Sequence, residues 1–214
     1  MDGLFITFEG VEGCGKSTQM ELLKGWFEER GRSVLAVREP GGTKLGEKVR
    51  AVLLNPDGEG IDPLAELFLY EACRAQIVNS VIRPALMKGI TVICDRFTDS
   101  TIAYQGYGRG LDISAVISVN AWASCGLTPG ITLLLDCNPE VGLGRAWNRI
   151  KGGQGAGEER FEREDISFHR RVRAGYLDLA EKERERIKLI DGSREISLIH
   201  REICDIIKAS GRFY

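Results

Sequence analysis

The chain has 214 residues, 43% hydrophobic and 28% charged, with a formal net charge of -2, which suits one globular domain with a sizeable core over residues 1–214. No run approaches the ~18 consecutive apolar residues of a membrane span, and a slightly acidic balance excludes a global basic field for nucleic acid. Any anion site must therefore be built locally.

The first apolar segment, Leu4 to Phe8, has no basic flank or cleavage site of a secretory signal before it. It is nearly continuous rather than alternating, as in a strand covered on both faces. It runs into Gly10-Val11-Glu12-Gly13-Cys14-Gly15-Lys16-Ser17, which fits G-x-x-x-x-G-K-[ST] at every fixed position, and then into a helix marked by Met20, Leu23 and Phe27. Strand, loop and helix in that order are what a phosphate-binding loop requires. Its glycines let backbone N–H groups curl around a phosphate, and the helix N-terminus adds partial positive charge. Lys16 reaches the β- and γ-phosphates, and the Ser17 hydroxyl can ligate Mg²⁺. Gly10 through Thr18 form the candidate ATP-binding loop. Cys14, close to the helix N-terminus, is expected to carry a reactive thiol.

Further strands are expected at Val34 to Val37, Ile90 to Cys94, Ile131 to Leu135 and Ile187 to Ile190. Between them lie segments of helical spacing, such as Leu45, Val49, Val52 and Leu53, or Ile196, Ile199, Ile203 and Ile207. This β-α alternation predicts a three-layer α/β fold of the P-loop NTPase type, with a five-stranded parallel sheet and helices on both faces. Glu9, Arg38 with Glu39, Asp95, Asp136 and Asp191 stand at the carboxyl ends of the strands, the edge where open α/β sheets bind ligands. Asp95 suits Mg²⁺ or its water shell, and Arg96 beside it can bridge two anionic phosphates.

Lys151 to Glu159 holds four glycines in nine residues. Such a run is either a mobile functional element or a plain flexible insertion. Arginines at its borders, Arg145, Arg149, Arg160 and Arg163, favour a closing lid over about residues 145–165. Six scattered cysteines without a C-x-x-C pair, and two histidines, indicate neither a zinc site nor a disulfide framework. Free thiols in a reducing, cytoplasmic setting are expected.

A phosphate loop does not choose among kinases, GTPases and motor-like ATPases. Four more stretches do: Arg38-Glu39-Pro40-Gly41-Gly42-Thr43, Arg50, Tyr70-Glu71-Ala72-Cys73-Arg74, and Asp95-Arg96-Phe97 followed by Ser100-Thr101-Ile102-Ala103-Tyr104-Gln105-Gly106. Together they resemble the signature blocks of thymidylate kinases, and the resemblance continues into Ile190-Asp191-Gly192. It implies transfer of the γ-phosphoryl group of ATP to dTMP, with Mg²⁺, as a step toward dTTP. It also implies a homodimer through helices such as Leu64 to Met87, which is apolar on more than one face.

Residue by residue, the resemblance implies that Tyr70 stacks on thymine, Arg74 bonds thymine O4, and Thr101 and Gln105 meet the polar edge of the base. Tyr104 would lie against the sugar, and Glu12 would accept a hydrogen bond from the 3′-hydroxyl. Arg50 and Arg96 would hold the dTMP phosphate, with Arg38 also on that side, while Arg145 would serve ATP. Two departures matter. Phe97 stands where the family often has tyrosine or histidine, so it receives no catalytic role. Gly13 stands where some members carry an arginine, so Lys16, Asp95 and Arg96 are joined as catalytic candidates by the lid arginines Arg149 and Arg160. Which arginine approaches the transferred group is left open. A kinase for another nucleotide would change the Tyr70, Arg74 and Tyr104 set, and a GTPase switch would carry an Asn-Lys-x-Asp motif, which the sequence lacks.

Overall fold

A computed structural model describes residues 3–56, 60–153 and 157–211. The strands β1 (Phe5–Glu9), β2 (Val34–Arg38), β3 (Thr91–Asp95), β4 (Ile131–Asp136) and β5 (Ile187–Asp191) form one sheet in the order β2-β3-β1-β4-β5. Every neighbouring pair is parallel, with Phe8 opposite Asp95 and Leu134 opposite Leu189. The three central strands are buried almost throughout, whereas the edge strands β2 and β5 are only partly covered. That is why the central segments read as unbroken apolar runs. All five predicted strands are present, and the polar residue expected after each is its last residue in register.

Helices cover both faces. α1 (Lys16–Glu28) leaves the phosphate loop directly and buries Met20, Leu23 and Phe27. α2 (Lys44–Leu54) is capped by the Thr43 side chain, and α3 (Pro63–Ile77) by Asp62 with proline in its first turn. α3 continues through a π-helical turn, Val78–Ile82, into α4 (Arg83–Met87). After β3, the short α5 (Thr98–Thr101) passes into a second π-helical segment, Ile102–Gly108, and then α6 (Ile113–Ala123). α7 (Pro139–Lys151) and α8 (Ile166–Lys182) follow β4, and α9 (Ile196–Ala209) closes the fold.

Ile6, Phe8 and Ile93 join a core with Leu23, Phe27, Ile203 and Ile207, while Phe5, Val92 and Cys94 join another with Ile77, Ile82, Leu86 and Phe97. The spacing of α9 is realised in Ile199, Ile203 and Ile207. In α2 only Leu53 of the expected stripe is fully buried; Leu45 and Val52 face outward. Among the described residues, no helix is long and apolar enough to cross a membrane.

One close approach positions the phosphate loop. Gly13 has φ 65°, and a Cβ there would lie 2.0 Å from the Gly142 carbonyl oxygen. A Cβ on Gly142 would lie 2.3 Å from the Glu12 carbonyl oxygen. α7 thus rests on the loop through two bare backbones, and an arginine at position 13 would have to displace the helix. Gly142→Ala tests this contact, because helix propensity alone favours alanine by about 1 kcal/mol. The contact predicts the opposite sign: a fall in thermal midpoint of at least about 4 °C in a circular-dichroism melt. A raised midpoint would refute it.

Candidate active site

The phosphate loop curls back on its own lysine. Lys16 Nζ donates to the carbonyls of Gly10 (3.0 Å) and Val11 (2.9 Å) and lies 3.6 Å from Cys14 Sγ. The Ser17 hydroxyl donates to Asp95 Oδ2 at 3.4 Å, so the end of β3 and the start of α1 present two oxygen donors side by side. Cys14, where a reactive thiol is expected from the sequence, is 1% exposed within the loop, and Cys125 is the exposed cysteine.

Arg96 adopts φ 66° at the end of β3, a left-handed conformation that costs a non-glycine residue about 1–3 kcal/mol and persists only where its surroundings enforce it. The enforcement is visible. Arg96 N–H donates to the Phe8 carbonyl (3.0 Å), and Glu9 Oε1 accepts from Phe97 N–H (2.7 Å). The Ser100 and Tyr176 hydroxyls donate to Glu9 Oε2 at 2.5 and 2.9 Å. This turn throws the Arg96 guanidinium over the loop. Its Nη1 meets Ser100 Oγ and Tyr176 Oη at 3.2 and 3.0 Å, and its Nη2 meets Glu12 Oε1 and Tyr104 Oη, each at 3.0 Å. Tyr104 also donates to Glu12. Burial opposes charge on Glu12, but His169, Arg96 and Lys16 together hold its carboxyl well below the usual range.

A cleft of about 930 Å³ runs from the loop to the second π-helical segment. Of the candidates, Glu12 through Thr18, Arg38, Arg50, Tyr70, Arg74, Asp95, Arg96, Thr101, Tyr104, Gln105, Arg145 and Arg149 line it. Gly10 and Val11, at the start of the same loop, do not. Arg160 also stands outside the lining: its Nε donates to the Leu53 carbonyl at 2.6 Å, and its Nη2 pairs with the buried Glu66. Arg163 pairs with Glu159 at 3.1 Å. Arg145 reaches the Gly192 carbonyl at 3.4 Å, and Arg149 is half exposed, 3.8 Å from Glu162. Of the glycine run, residues 154–156 lie outside the described residues.

Most groups of the cleft already have protein partners. Arg74 is only 1% exposed and meets Glu39 (2.7 Å), Glu71 (2.5 Å), Thr101 (2.9 Å) and Asn120 (2.5 Å). Gln105 donates to Glu66 (2.8 Å), and Arg38 pairs with Glu47 (3.0 Å). Arg50 grips the Glu158 carboxylate at 2.8 Å and the Pro40 carbonyl at 2.9 Å. Phe97 packs edge-on against Phe5, with the Arg74 guanidinium over its ring, which is a wall position. Sequence reading missed Phe161, whose ring stands between Tyr70 and Tyr104 at 6.4 and 5.5 Å. It also missed Ser100, Tyr176 and His169. On α8 these last two fall within a stripe of Phe168, Val172 and Tyr176, which reads simply as core.

A family model described as thymidylate kinase matches residues 8–203. The chain belongs to the thymidylate kinase family. It is 55% identical over 194 residues to the thymidylate kinase of Geotalea uraniireducens, covering 91% of both chains. It is 47% identical to that of Trichlorobacter lovleyi, covering 95% and 96%. A crystal structure of thymidylate kinase from Ehrlichia chaffeensis superposes with a TM-score of 0.77 at 35% identity, covering 97% of this chain and 99% of that one.

The Glu9 carboxyl at the centre of this family member's site is pushed up to about 7, chiefly by burial and then by Asp99. A raised acid stabilises the native state most below its unfolded pKa, about 4.5, and that contribution is lost as pH rises through about 7. Glu9→Gln cannot titrate. Its urea-measured stability relative to the parent should therefore improve between about pH 4.5 and 7, by on the order of 1–3 kcal/mol, and level off above. A flat difference would contradict the assignment.

Proposed function

We propose that this thymidylate kinase family member transfers the γ-phosphoryl group of ATP to the 5′-phosphate of dTMP, giving dTDP. One observation carries the reading: the phosphate loop and the Tyr70, Arg74, Tyr104 wall open on a single cleft, with Arg96 and Glu12 joined between them. Donor and acceptor can meet there. The acceptor is already an oxyanion, so transfer asks for positioning and charge stabilisation rather than a strong base.

In this reading Lys16 leaves its loop carbonyls to meet the donor phosphates, and Arg145 lies on the ATP side. Tyr70 stacks on thymine, Arg74 and its neighbours Thr101 and Gln105 define the polar edge of the base, and Tyr104 sits against the sugar beside Glu12. Arg96, Arg50 and Arg38 receive the acceptor phosphate, which must first take Arg50 from Glu158. Ser17 and Asp95 are hard oxygen donors suited to Mg²⁺. Among the described residues no His, Cys, Asp or Glu cluster could hold a metal, so substrate oxygens and water would complete its shell. When bound, Mg²⁺ would supply charge neutralisation at the donor phosphates.

In this reading the segment 145–165 serves as a lid, and Arg149, half exposed in the cleft lining, is its candidate for the transferred group. Leu64 and Phe68 on α3 and Ile117 and Trp122 on α6 are exposed apolar side chains on two packed helices, which supports a homodimer. Six free cysteines support a cytoplasmic location.

A coupled ADP-release assay over nucleoside monophosphates tests the function. dTMP should be preferred over dCMP by at least about 10³-fold in kcat/KM, since a guanidinium meets the N4 amino group of cytosine badly; equal values would overturn the reading. Lys16→Ala should lower kcat by far more than about tenfold with the fold intact. Arg149→Ala should lower kcat with little change in the KM for dTMP, and more strongly than Arg160→Ala, whose side chain is committed to Glu66. Steady-state kinetics of both variants check the order.

A further inference from the structure

His169 on α8 is completely buried, and the mechanism above does not use it. Its Nδ1 stands 3.2 Å from Glu12 Oε2. That oxygen is buried as well, and neither it nor Nδ1 makes a well-aligned hydrogen bond to any described residue, so the 3.2 Å contact is an ion-pair approach between two otherwise unpartnered buried atoms. The two oxygens of Glu12 are thus divided. Oε1 takes Arg96 Nη2 at 3.0 Å and the Tyr104 hydroxyl on the cleft side, while Oε2 faces the imidazole behind.

The setting of the ring is well defined. Phe168 stands edge-on to it at 5.4 Å, and the Phe161 backbone and Glu162 approach from the segment that follows the glycine run. The charged groups around it are Glu12 from the phosphate loop and Glu162, with Arg96 and Lys16 on the far side of Glu12. Burial disfavours an imidazolium here, but Glu12 above all, with Glu162, outweighs it and raises the pKa of the ring. Removing the ring would leave one carboxylate oxygen buried with no cation beside it. Glu12 would then turn or take up a proton, and Arg96 would lose its fixed counter-charge.

We propose that His169 is a positioning residue for phosphoryl transfer: it fixes the Glu12 carboxylate from behind and, through Glu12, aims the Arg96 guanidinium at the acceptor side of the cleft. The proposal rests on the reading in which Arg96 and Glu12 serve the monophosphate. Two features separate this role from plain core packing. A phenylalanine would satisfy packing against Phe168, and only a cationic or donor group at the place of Nδ1 serves Glu12.

The test uses the full chain and the variants His169→Phe, His169→Asn, Glu12→Gln and Glu12→Gln with His169→Phe. His169→Phe should lower kcat/KM for dTMP by at least about tenfold and leave the KM for ATP within about twofold. His169→Asn, which keeps an N–H near the place of Nδ1, should recover most of the loss. In the Glu12→Gln background His169→Phe should add little, since the two residues act as one unit.

The chain has two histidines, so ¹⁵N spectra of the imidazoles give a reading without substrate. The His169 imidazole should titrate at a higher pH in the parent than in Glu12→Gln. Parent-like kcat/KM in His169→Phe, full additivity in the double variant, or an unchanged imidazole signal in Glu12→Gln would each overturn the proposal. Should the parent fail to phosphorylate dTMP, the functional reading falls while the spectra still decide the His169–Glu12 pairing. Should His169→Phe fail to fold, His169→Asn and the spectra carry the test.

Discussion

A guanidinium that the proposed function needs within reach of phosphate oxygens, yet held in one geometry, is the constraint around which the cleft is arranged. Arg96 is 19% exposed, enough to face the cleft, and its donors meet side chains from the phosphate loop, α5, the second π-helical segment and α8. A residue with positive φ holds such a side chain only if the backbone before and after it is pinned, and Phe8 and Glu9 of β1 do the pinning. The site therefore depends on β1 and β3 being neighbours in register. The Thr7 to Thr132 hydroxyl contact at 2.8 Å and the Arg186 to Asp99 pair at 2.7 Å extend the same fixation to β4 and α5.

Burial decides which cations of the cleft can exchange partners. Breaking a buried ion pair by removing one member costs about 3–5 kcal/mol, whereas an exposed pair is worth about 0–1 kcal/mol. Arg74, sealed between Glu39 and Glu71, falls in the first class and acts as a fixed wall of the pocket. Arg50 is nearer the second. Its partner Glu158 is 40% exposed and sits at the far border of the glycine run, so in the proposed function a phosphate with two negative charges could replace that carboxylate. Lys16 bonds carbonyls of its own loop, neutral partners that an anion displaces readily.

Two of the backbone irregularities adjoin the cleft. The second π-helical segment, Ile102–Gly108, carries Tyr104 and Gln105, and its wider turn sets both toward the cleft. Such segments cost regular helical bonding and concentrate at functional sites. The paired bare backbones of Gly13 and Gly142 work the same way for α7, bringing the helix that bears Arg145 and Arg149 directly onto the loop. Catalytic geometry is thus specified as much by places where a side chain is missing as by those where one is present.

The sequence by itself determined the five strands, their parallel pairing, the phosphate loop and the row of polar residues on the ligand edge. These are properties of short windows: an apolar run, a glycine spacing, a carboxylate at the end of a strand. Tertiary structure alone decided how the charges pair. It sealed Arg74 against Glu39 and Asn120, turned Arg160 to Glu66, laid Glu158 on Arg50 and buried His169 behind Glu12. It also buried Cys14 within the loop and turned Leu45 and Val52 of a regular helical stripe outward. Each outcome depends on which distant segment the fold brings alongside, and an arginine has the same sequence signature whether it meets a phosphate or a carboxylate, since both are satisfied by the same planar fork of donors.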